Sequence, residues 1–248
     1  MTPKWTVRRL PRPDAALRLY AFPHSGGSPG EFVRWADELP DVEVLGVQLP
    51  GHGSRFAEEP LTSMAELVAA VVEHVDFRPP FAFFGHSLGA LVAHEVALEL
   101  RERGRPLPDL LVVSAIPAPH HGPRREAVHH LPEEELISFI DGSYGGGMAQ
   151  VAGDRDLLAM VLPAYRADFE VYETYRYSPR PPLDVPLRVF GGRDDDIAED
   201  RLADWARHTT AGCELTVLPG GHFYLRDAPG REEVLSFLRT SASRAATR

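Results

Sequence analysis

A serine between two glycines has the surroundings that point most directly to chemistry. Ser87 is the centre of a Gly-His-Ser-Leu-Gly pentapeptide at 85–89, with the apolar run 81–84 before it and a helical pattern from Leu88 after it. A strand, a sharp turn and a helix in this order raise the central hydroxyl above the end of a sheet. The glycines let the backbone approach there without a Cβ clash. We therefore predict that Ser87 is the nucleophile of an acyl transfer; an ordinary turn that caps a helix is the alternative interpretation.

The serine hydroxyl needs a base to take its proton. The chain has eleven histidines that could act as this base. Where a strand, a serine turn and a helix occur in this order, an acid and then a histidine follow the serine along the chain. His222 fits that order, because it lies in a Pro-Gly-Gly-His-Phe loop directly after the run 214–218. We predict that His222 is the general base.

The acid that orients the histidine should follow the preceding strand, where three aspartates occur in a row. Its role is to fix the imidazole tautomer and to stabilise the imidazolium. A Gly-x-x-Asp count from Gly191 selects Asp194, and a count from Gly192 selects Asp195. We predict Asp194 as the partner of His222 and keep Asp195 as the alternative.

Two backbone N–H groups are predicted to form the oxyanion hole. The N–H of Leu88 lies at the beginning of a helix, where it can meet a developing negative charge. The N–H of Ser25 lies in a Phe-Pro-His-Ser-Gly-Gly loop at 22–27, directly after the first predicted strand. No Lys-Ser or Lys-Thr pair follows, so this loop lacks the pattern of a phosphate-binding loop. An ordinary turn that uses its glycines for positive φ is the alternative.

Apolar runs that alternate with helical patterns predict the scaffold that positions these groups. The runs are nearly continuous, which is typical of parallel strands covered on both faces. Right-handed crossovers then predict an α/β fold with a mostly parallel, doubly wound sheet. The predicted strands are 17–22, 42–49, 81–84, 110–113, 187–190 and 214–218, and the predicted helices are 30–39, 64–75, 88–100, 199–208 and 230–239.

One long segment interrupts this rhythm. Residues 117–185 are rich in proline at both ends and carry helical patterns at 132–140 and 154–175 between them. A structureless loop of that length is uncommon in a compact domain. We predict a helical lid, inserted into a single domain that spans 1–248, and expect it to contribute the substrate-binding residues. The small, polar tail 241–248 is predicted to fray.

Composition and charge exclude several classes of protein. The 26 Lys and Arg stand against 36 Asp and Glu, a formal net charge of −10, whereas a nucleic-acid binder needs a basic surface. The single cysteine, Cys213, cannot form an internal disulfide or a cysteine-rich metal site. No apolar run approaches the ~20 residues of a membrane span, and the N-terminus lacks the pattern of a signal peptide. We expect a cytoplasmic protein that uses no metal and binds neither membrane nor nucleic acid.

The motifs together resemble the stand-alone type II thioesterases of polyketide and nonribosomal peptide synthesis, members of the α/β-hydrolase superfamily. The likeness runs from about Trp5 to Leu238. It rests on the order of the 22–28 motif, Gln-Leu-Pro-Gly at 48–51, the 85–89 pentapeptide, the 190–195 segment and Gly-Gly-His-Phe at 220–223. The Gly-His-Gly-Ser-Arg stretch at 51–55 departs from the charged Gly-Arg run common in that family.

The resemblance implies an α/β-hydrolase fold and an editing enzyme that hydrolyses acyl groups from the phosphopantetheine thiol of acyl or peptidyl carrier proteins. It implies a Ser-His-Asp acyl-enzyme mechanism without a cofactor, and transient binding of the carrier to a monomer. Because both partners are acidic, we expect a local basic patch at Arg124, Arg125 or Arg180 to bind the carrier. A small-molecule carboxylesterase of secondary metabolism and a non-catalytic receptor with this fold are the alternatives.

Overall fold

A seven-stranded sheet forms the centre of the computed structural model, which describes residues 5–123, 126–144, 148, 151 and 153–246. The strands are β1 (Thr6–Val7), β2 (Leu17–Phe22), β3 (Val42–Val47), β4 (Phe81–His86), β5 (Leu110–Ser114), β6 (Leu187–Gly192) and β7 (Cys213–Leu218). Their order in the sheet is β1-β3-β2-β4-β5-β6-β7. Only β1 is antiparallel to its neighbour among these described strands, so the predicted, mostly parallel sheet is confirmed.

Helices connect the strands and cover both faces of the sheet. The α-helices are α1 (Gly30–Val33), α2 (Met64–His74), α3 (Leu88–Glu102), α4 (Glu133–Tyr144), α5 (Arg155–Thr174), α6 (Glu199–Ala203) and α7 (Ala228–Ala245). Short 3₁₀ turns lie at Arg34–Asp37, Gly53–Arg55, Pro119–His121, Asp204–His208 and Tyr224–Arg226. The chain therefore alternates strand and helix, as its apolar pattern predicts.

The central strand β4 shows why both faces of the sheet are apolar. Phe81 and Phe83 point to the face covered by α2 and α3, and Ala82 and Phe84 point to the face covered by α1 and α7. All four side chains are fully buried. Successive side chains of a strand point to opposite faces, so a strand covered on both sides must be apolar at every position.

Most elements begin or end a few residues from the predicted bounds, and helices 30–39 and 199–208 each end in a 3₁₀ turn. Three differences are larger or bear on the site. The short edge strand β1 was not predicted, because two residues carry no periodic signal. Strand β6 continues through Gly192. Helix α7 continues to Ala245, so the predicted fraying of the tail is wrong for residues 241–245; the side chain of Ala242 is buried against the sheet domain and holds the last turns in place. Residues 247 and 248 lie outside the described part of the chain.

Helices α4 and α5 occupy the segment 117–185, which we call the lid segment. They enclose an apolar cluster of their own, formed by Leu136, Ile140, Met148, Leu158, Leu162 and Phe169. Asp154 caps α5, because its carboxylate accepts hydrogen bonds from the N–H groups of Asp156 and Leu157, both at 3.1 Å. The prediction of a helical insertion is confirmed.

The C-terminal end of α5 packs against the sheet and the helices α2 and α3. Val171 and Tyr175 belong to the same apolar cluster as α2 and α3. The Tyr175 hydroxyl donates to Oε1 of Glu95 at 2.8 Å, and the Arg180 guanidinium binds the other oxygen of that carboxylate. Arg180 is therefore engaged in an internal ion pair. Arg124 and Arg125, the other residues of the expected basic patch, lie outside the described residues.

None of the helices in the described ranges has the length and apolar character that crossing a bilayer requires.

Candidate active site

The turn between β4 and α3 exposes Ser87 in a strained backbone conformation. Ser87 has φ +53° and ψ −127°, a region that a residue with a Cβ rarely adopts and that costs about 1–3 kcal/mol. The Ser87 N–H donates to the carbonyl oxygen of Ser114 at 2.8 Å, which ties the turn to β5. A Cβ at Gly85 would lie 2.4 Å from Cα of Ala90. The surrounding backbone therefore holds the serine hydroxyl above the sheet, as the pentapeptide predicts.

Ser87, His222 and Asp195 form a continuous hydrogen-bonded chain. Nε2 of His222 lies 3.0 Å from Oγ of Ser87, and Nδ1 of His222 lies 2.8 Å from Oδ2 of Asp195. The Asp195 side chain is 3% exposed and that of His222 is 12% exposed. This geometry places an N–H of the imidazole on the carboxylate and points the other ring nitrogen at the serine hydroxyl, whose proton it can accept.

The expected partner of His222 is corrected by this geometry. The hydrogen bonds of Asp194 go to Gly220 instead: its Oδ2 accepts the N–H of Gly220 at 3.2 Å, and its own N–H donates to the Gly220 carbonyl at 2.9 Å. The physical reason is the length of β6. Because the strand continues through Gly192, the Gly-x-x-Asp count starts there and selects Asp195, the alternative that the sequence left open.

The two predicted oxyanion donors lie at the edge of one cavity. Leu88 is the first residue of α3, and Ser25 belongs to the loop at residues 23–27 that follows β2, which we call the β2 loop. Both residues line a cavity of about 60 Å³ together with Ser87 and His222. The first N–H groups of a helix have no intrahelical partner, which the predicted role of the Leu88 N–H requires.

A second, larger cavity also opens onto Ser87. It has a volume of about 220 Å³ and shares Ser25, Ser87, Phe169 and His222 with the first cavity. Its apolar wall comes from the lid segment and consists of Ile140, Met148, Val151, Val161, Tyr165 and Phe169. The structure thus brings the lid segment and the nucleophile together, and gives the site two compartments that meet at the serine.

A buried, neutral histidine lies beside the chain of three residues. Burial lowers the pKa of His86 well below its usual value, and the nearby His222 and His24 lower it further. Nδ1 of His86 faces Oγ of Ser114 at 2.8 Å. The His222 ring centroid is 5.3 Å from that of His86. Because burial favours the neutral form of His86, this ring adds no positive charge beside His222.

Asp168 of α5 is a buried acid that the sequence reasoning did not assign. Its Oδ2 accepts the N–H of Gly26 in the β2 loop at 2.7 Å and lies 2.9 Å from Nε2 of His52. Asp168 follows Gly26 by 142 positions and His52 by 116 positions in the sequence, so no local pattern could reveal these contacts. The one available signal was the position of a charged residue on an otherwise apolar helix face.

Among the residues that the structure describes, one group has three metal-binding donor atoms close together: His120, His121 and Asp204. Nε2 of His121 already binds Oδ2 of Asp204 at 2.8 Å. None of the three lines either cavity at Ser87. This group is therefore separate from the candidate active site.

Known proteins resemble the chain over nearly its whole length. A model of the thioesterase domain family matches residues 17–242. The gramicidin S biosynthesis protein GrsT of Aneurinibacillus migulanus is 34% identical over 95% of this chain and 92% of its own length. Thioesterase PikA5 of Streptomyces venezuelae is 40% identical over 90% of this chain and 80% of its own length. The solved structure of BorB, a type II thioesterase from the borrelidin biosynthetic cluster, is 34% identical with a TM-score of 0.85 and covers 96% of this chain and 97% of its own.

Proposed function

Because the chain belongs to the thioesterase domain family and is a thioester hydrolase, we propose that Ser87, His222 and Asp195 hydrolyse acyl groups from the phosphopantetheine thiol of acyl or peptidyl carrier proteins. The observation that carries this proposal is the hydrogen-bonded chain of the three side chains, at 3.0 and 2.8 Å. Its serine opens onto an apolar cavity large enough for an acyl group.

The first half of the reaction transfers the acyl group to the enzyme. Oγ of Ser87 attacks the thioester carbonyl carbon while Nε2 of His222 takes the hydroxyl proton. The N–H groups of Ser25 and Leu88 stabilise the negative charge that develops on the carbonyl oxygen. The C–S bond then breaks, the sulfur leaves as a thiol with the proton from His222, and an ester of Ser87 remains.

The second half releases the acid. A water molecule attacks the ester carbonyl carbon, and Nε2 of His222 takes its proton. The same two N–H groups stabilise the second oxyanion. The bond to Oγ breaks, Ser87 recovers its proton from His222, and the free carboxylic acid leaves. Asp195 stays ionised throughout and stabilises the imidazolium. The cycle uses no cofactor.

The similarity to proteins of gramicidin S and borrelidin biosynthesis supports an editing role. In that role the enzyme clears stalled or wrongly primed acyl groups from carrier proteins in the cytoplasm, acting as a monomer that binds each carrier transiently. The carrier would meet the chain near the mouths of the two cavities at Ser87. Of the three arginines expected to bind the carrier, Arg180 also forms an ion pair with Glu95.

A hydrolysis panel tests this function. Wild-type protein is incubated with carrier proteins that hold different acyl groups, with the matching acyl-pantetheine thioesters, and with a simple aryl ester. We expect release from the thioesters and from the carriers, and a fall of about 10⁶ in kcat for Ser87→Ala. Turnover of the aryl ester without turnover of any thioester would make the protein a carboxylesterase. Equal turnover by Ser87→Ala would remove Ser87 from the mechanism.

A further inference from the structure

The β2 loop is held by hydrogen bonds on two consecutive peptide units. The carbonyl oxygen of His24 accepts the N–H of Gly27 at 2.9 Å. In the next unit, the carbonyl oxygen of Ser25 faces Nδ1 of His24 at 3.0 Å. The other end of that unit, the N–H of Gly26, donates to Oδ2 of Asp168 at 2.7 Å. Because each peptide unit is planar and trans, these contacts also fix the direction of the Ser25 N–H.

Helix α5 contacts the loop with two side chains one turn apart. Residues three apart lie on the same face of a helix, and here Tyr165 and Asp168 both face Gly26. A Cβ added to Gly26 would lie 2.4 Å from the Tyr165 ring, and Gly26 has φ +66°, so the loop backbone packs directly on the ring. The position of the loop is thus set by α5, which belongs to the lid segment and not to the sheet.

The charge of Asp168 is balanced by a histidine. The Asp168 side chain is 4% exposed, and a buried carboxylate needs a charged partner or several donors. Nε2 of His52 lies 2.9 Å from Asp168, and Nδ1 of His52 lies 2.8 Å from the carbonyl oxygen of Pro50. Both ring nitrogens face acceptors, so both carry protons and His52 is an imidazolium. An ionised acceptor makes the stronger hydrogen bond to the Gly26 N–H.

We propose that Asp168 is a positioning residue that holds the β2 loop through the Gly26 N–H and so aims the Ser25 N–H at the oxyanion. The oxyanion hole is then complete only while α5 is seated on the loop. This inference rests on the proposed role of the Ser25 N–H, and it applies to any acyl transfer at Ser87. A loop that tilts weakens a hydrogen bond made in the transition state, so the loss falls on kcat and leaves KM nearly unchanged.

The size of the effect follows from what oxyanion donors contribute. Removal of one donor costs about 10²–10³ in kcat. Asp168 aims a donor and does not supply it, so we expect a loss of about 10–100-fold in kcat for Asp168→Ala, with KM changed by less than about threefold. Asp168→Asn keeps the volume of the side chain and an oxygen in reach of Gly26 and His52, but a neutral amide oxygen is a weaker acceptor than the carboxylate; we expect a loss in the same direction.

The experiment compares wild type, both Asp168 variants and Asp156→Asn, a control at an exposed acid of the same helix. Two rates are measured for each: hydrolysis of an acyl-pantetheine thioester, resolved into kcat and KM, and labelling of Ser87 by a fluorophosphonate. The fluorophosphonate reacts through a negatively charged oxygen that the N–H groups of Ser25 and Leu88 would also stabilise. The labelling rate therefore reports the orientation of these N–H groups without use of a thioester. Rates are expressed per folded molecule, measured by near-ultraviolet circular dichroism and thermal unfolding.

A parallel fall in kcat and in labelling rate for the Asp168 variants, with KM and the Asp156→Asn control unchanged, supports the proposal. Labelling and kcat within about twofold of wild type in a folded Asp168→Asn protein would overturn it, and that variant decides the matter if Asp168→Ala does not fold. If wild type is labelled but hydrolyses no thioester, the proposed function fails, while the labelling comparison still tests the role of Asp168.

Discussion

Oδ2 of Asp195 accepts a hydrogen bond from Nδ1 of the His222 imidazole across 2.8 Å, and this contact decides which of the neighbouring aspartates serves the site. Asp195→Asn should keep the shape of the side chain but present an amide that favours the wrong imidazole tautomer. We expect kcat to fall by about 10⁴, the loss known for the equivalent change in a serine protease. Steady-state hydrolysis of an acyl-pantetheine thioester measures this loss.

Asp194→Asn is the matched control. Its side chain accepts the N–H of Gly220, and the amide oxygen of asparagine can accept the same bond. We expect kcat within about tenfold of wild type and a small change in stability. A larger loss for Asp194→Asn than for Asp195→Asn would contradict the geometry of the site.

The close approach of α3 to the β2 loop predicts that Gly89 tolerates no side chain. A Cβ at Gly89 would lie 2.1 Å from the carbonyl oxygen of Phe22 and 2.3 Å from that of Pro23, both fixed backbone atoms. Gly89→Ala should therefore lower the free energy of unfolding by about 3 kcal/mol or more, by the mechanism of an overpacked core, and slow the labelling of Ser87. Urea unfolding and fluorophosphonate labelling measure the two effects.

Gly142→Ala is the control for replacing a helical glycine by alanine where no steric clash results. Gly142 lies within α4, and an added Cβ there meets no atom within 4 Å. Alanine is the better helix former by about 1 kcal/mol, so this variant should be as stable as wild type or slightly more stable. Equal destabilisation by both glycine substitutions would contradict the assignment of the loss to the close approach at Gly89, because backbone entropy by itself favours alanine.

Sequence patterns could predict the parts of this protein that rest on local order along the chain. The strands, the Ser87 turn and the position of His222 each follow from neighbouring residues. The choice between Asp194 and Asp195 did not, because it depends on whether β6 ends at Phe190 or at Gly192, and hydrogen bonds to β7 settle that end. The contacts of Asp168 with the β2 loop and His52 join distant segments, so only the folded chain reveals them.

The contacts of Glu95 with Tyr175 and Arg180 at the end of the lid segment should lose their contribution to stability in acid. Burial by itself would raise the pKa of Glu95, but His94 and Arg180 outweigh burial and lower the pKa to about 2. A lowered pKa in the folded state stabilises the protein above the pKa of the unfolded chain, and that contribution is lost as the pH falls toward 2. We expect Glu95→Gln to cost about 1–3 kcal/mol near pH 7. Urea unfolding should show the difference from wild type shrinking below about pH 4.5.

Glu99→Gln, one turn further along α3, is the control for that measurement. Glu99 pairs with Arg103 at 2.7 Å on the surface of the same helix. Exposed i, i+4 pairs contribute about 0.3–0.5 kcal/mol, so its loss should be small at every pH. A pH-independent cost for Glu95→Gln would contradict the electrostatic account of the Glu95 contacts.

We expect the size of the side chain at position 161 to limit the length of the acyl group that the larger cavity accepts. The Val161 side chain lines that cavity from α5, so Val161→Phe should fill part of the space. We expect kcat/KM for an octanoyl thioester to fall about tenfold or more, while that for an acetyl thioester changes little, since lost apolar contacts of this size are worth about 1–3 kcal/mol. Met160→Phe, at a side chain 38% exposed on the same helix, should leave the ratio of the two substrates unchanged. A proportional loss on both substrates after Val161→Phe would place the acyl chain elsewhere.

The contribution of His52 to stability should depend on pH in the opposite direction to that of Glu95. Burial alone would lower the pKa of His52, but the Asp168 carboxylate and the hydrogen bond to the Pro50 carbonyl together outweigh burial and the nearby Arg55, and the pKa is raised. A raised pKa stabilises the folded protein below the pKa of the unfolded chain and loses that contribution as the pH rises through the folded value. Wild type should thus be more stable than His52→Gln at pH 6, and the difference should diminish on the alkaline side. A difference that grows with pH would mean that His52 is neutral in the folded protein.

The site groups come from loops after four different strands: β2 carries Ser25, β4 carries Ser87, β6 carries Asp195 and β7 carries His222. Two of these strands, β2 and β7, have three others between them in the sheet. A chain that has formed only part of the sheet therefore holds no partly working site. Labelling of Ser87 reports complete assembly, so its loss on unfolding should coincide with the loss of the whole secondary structure in a cooperative transition.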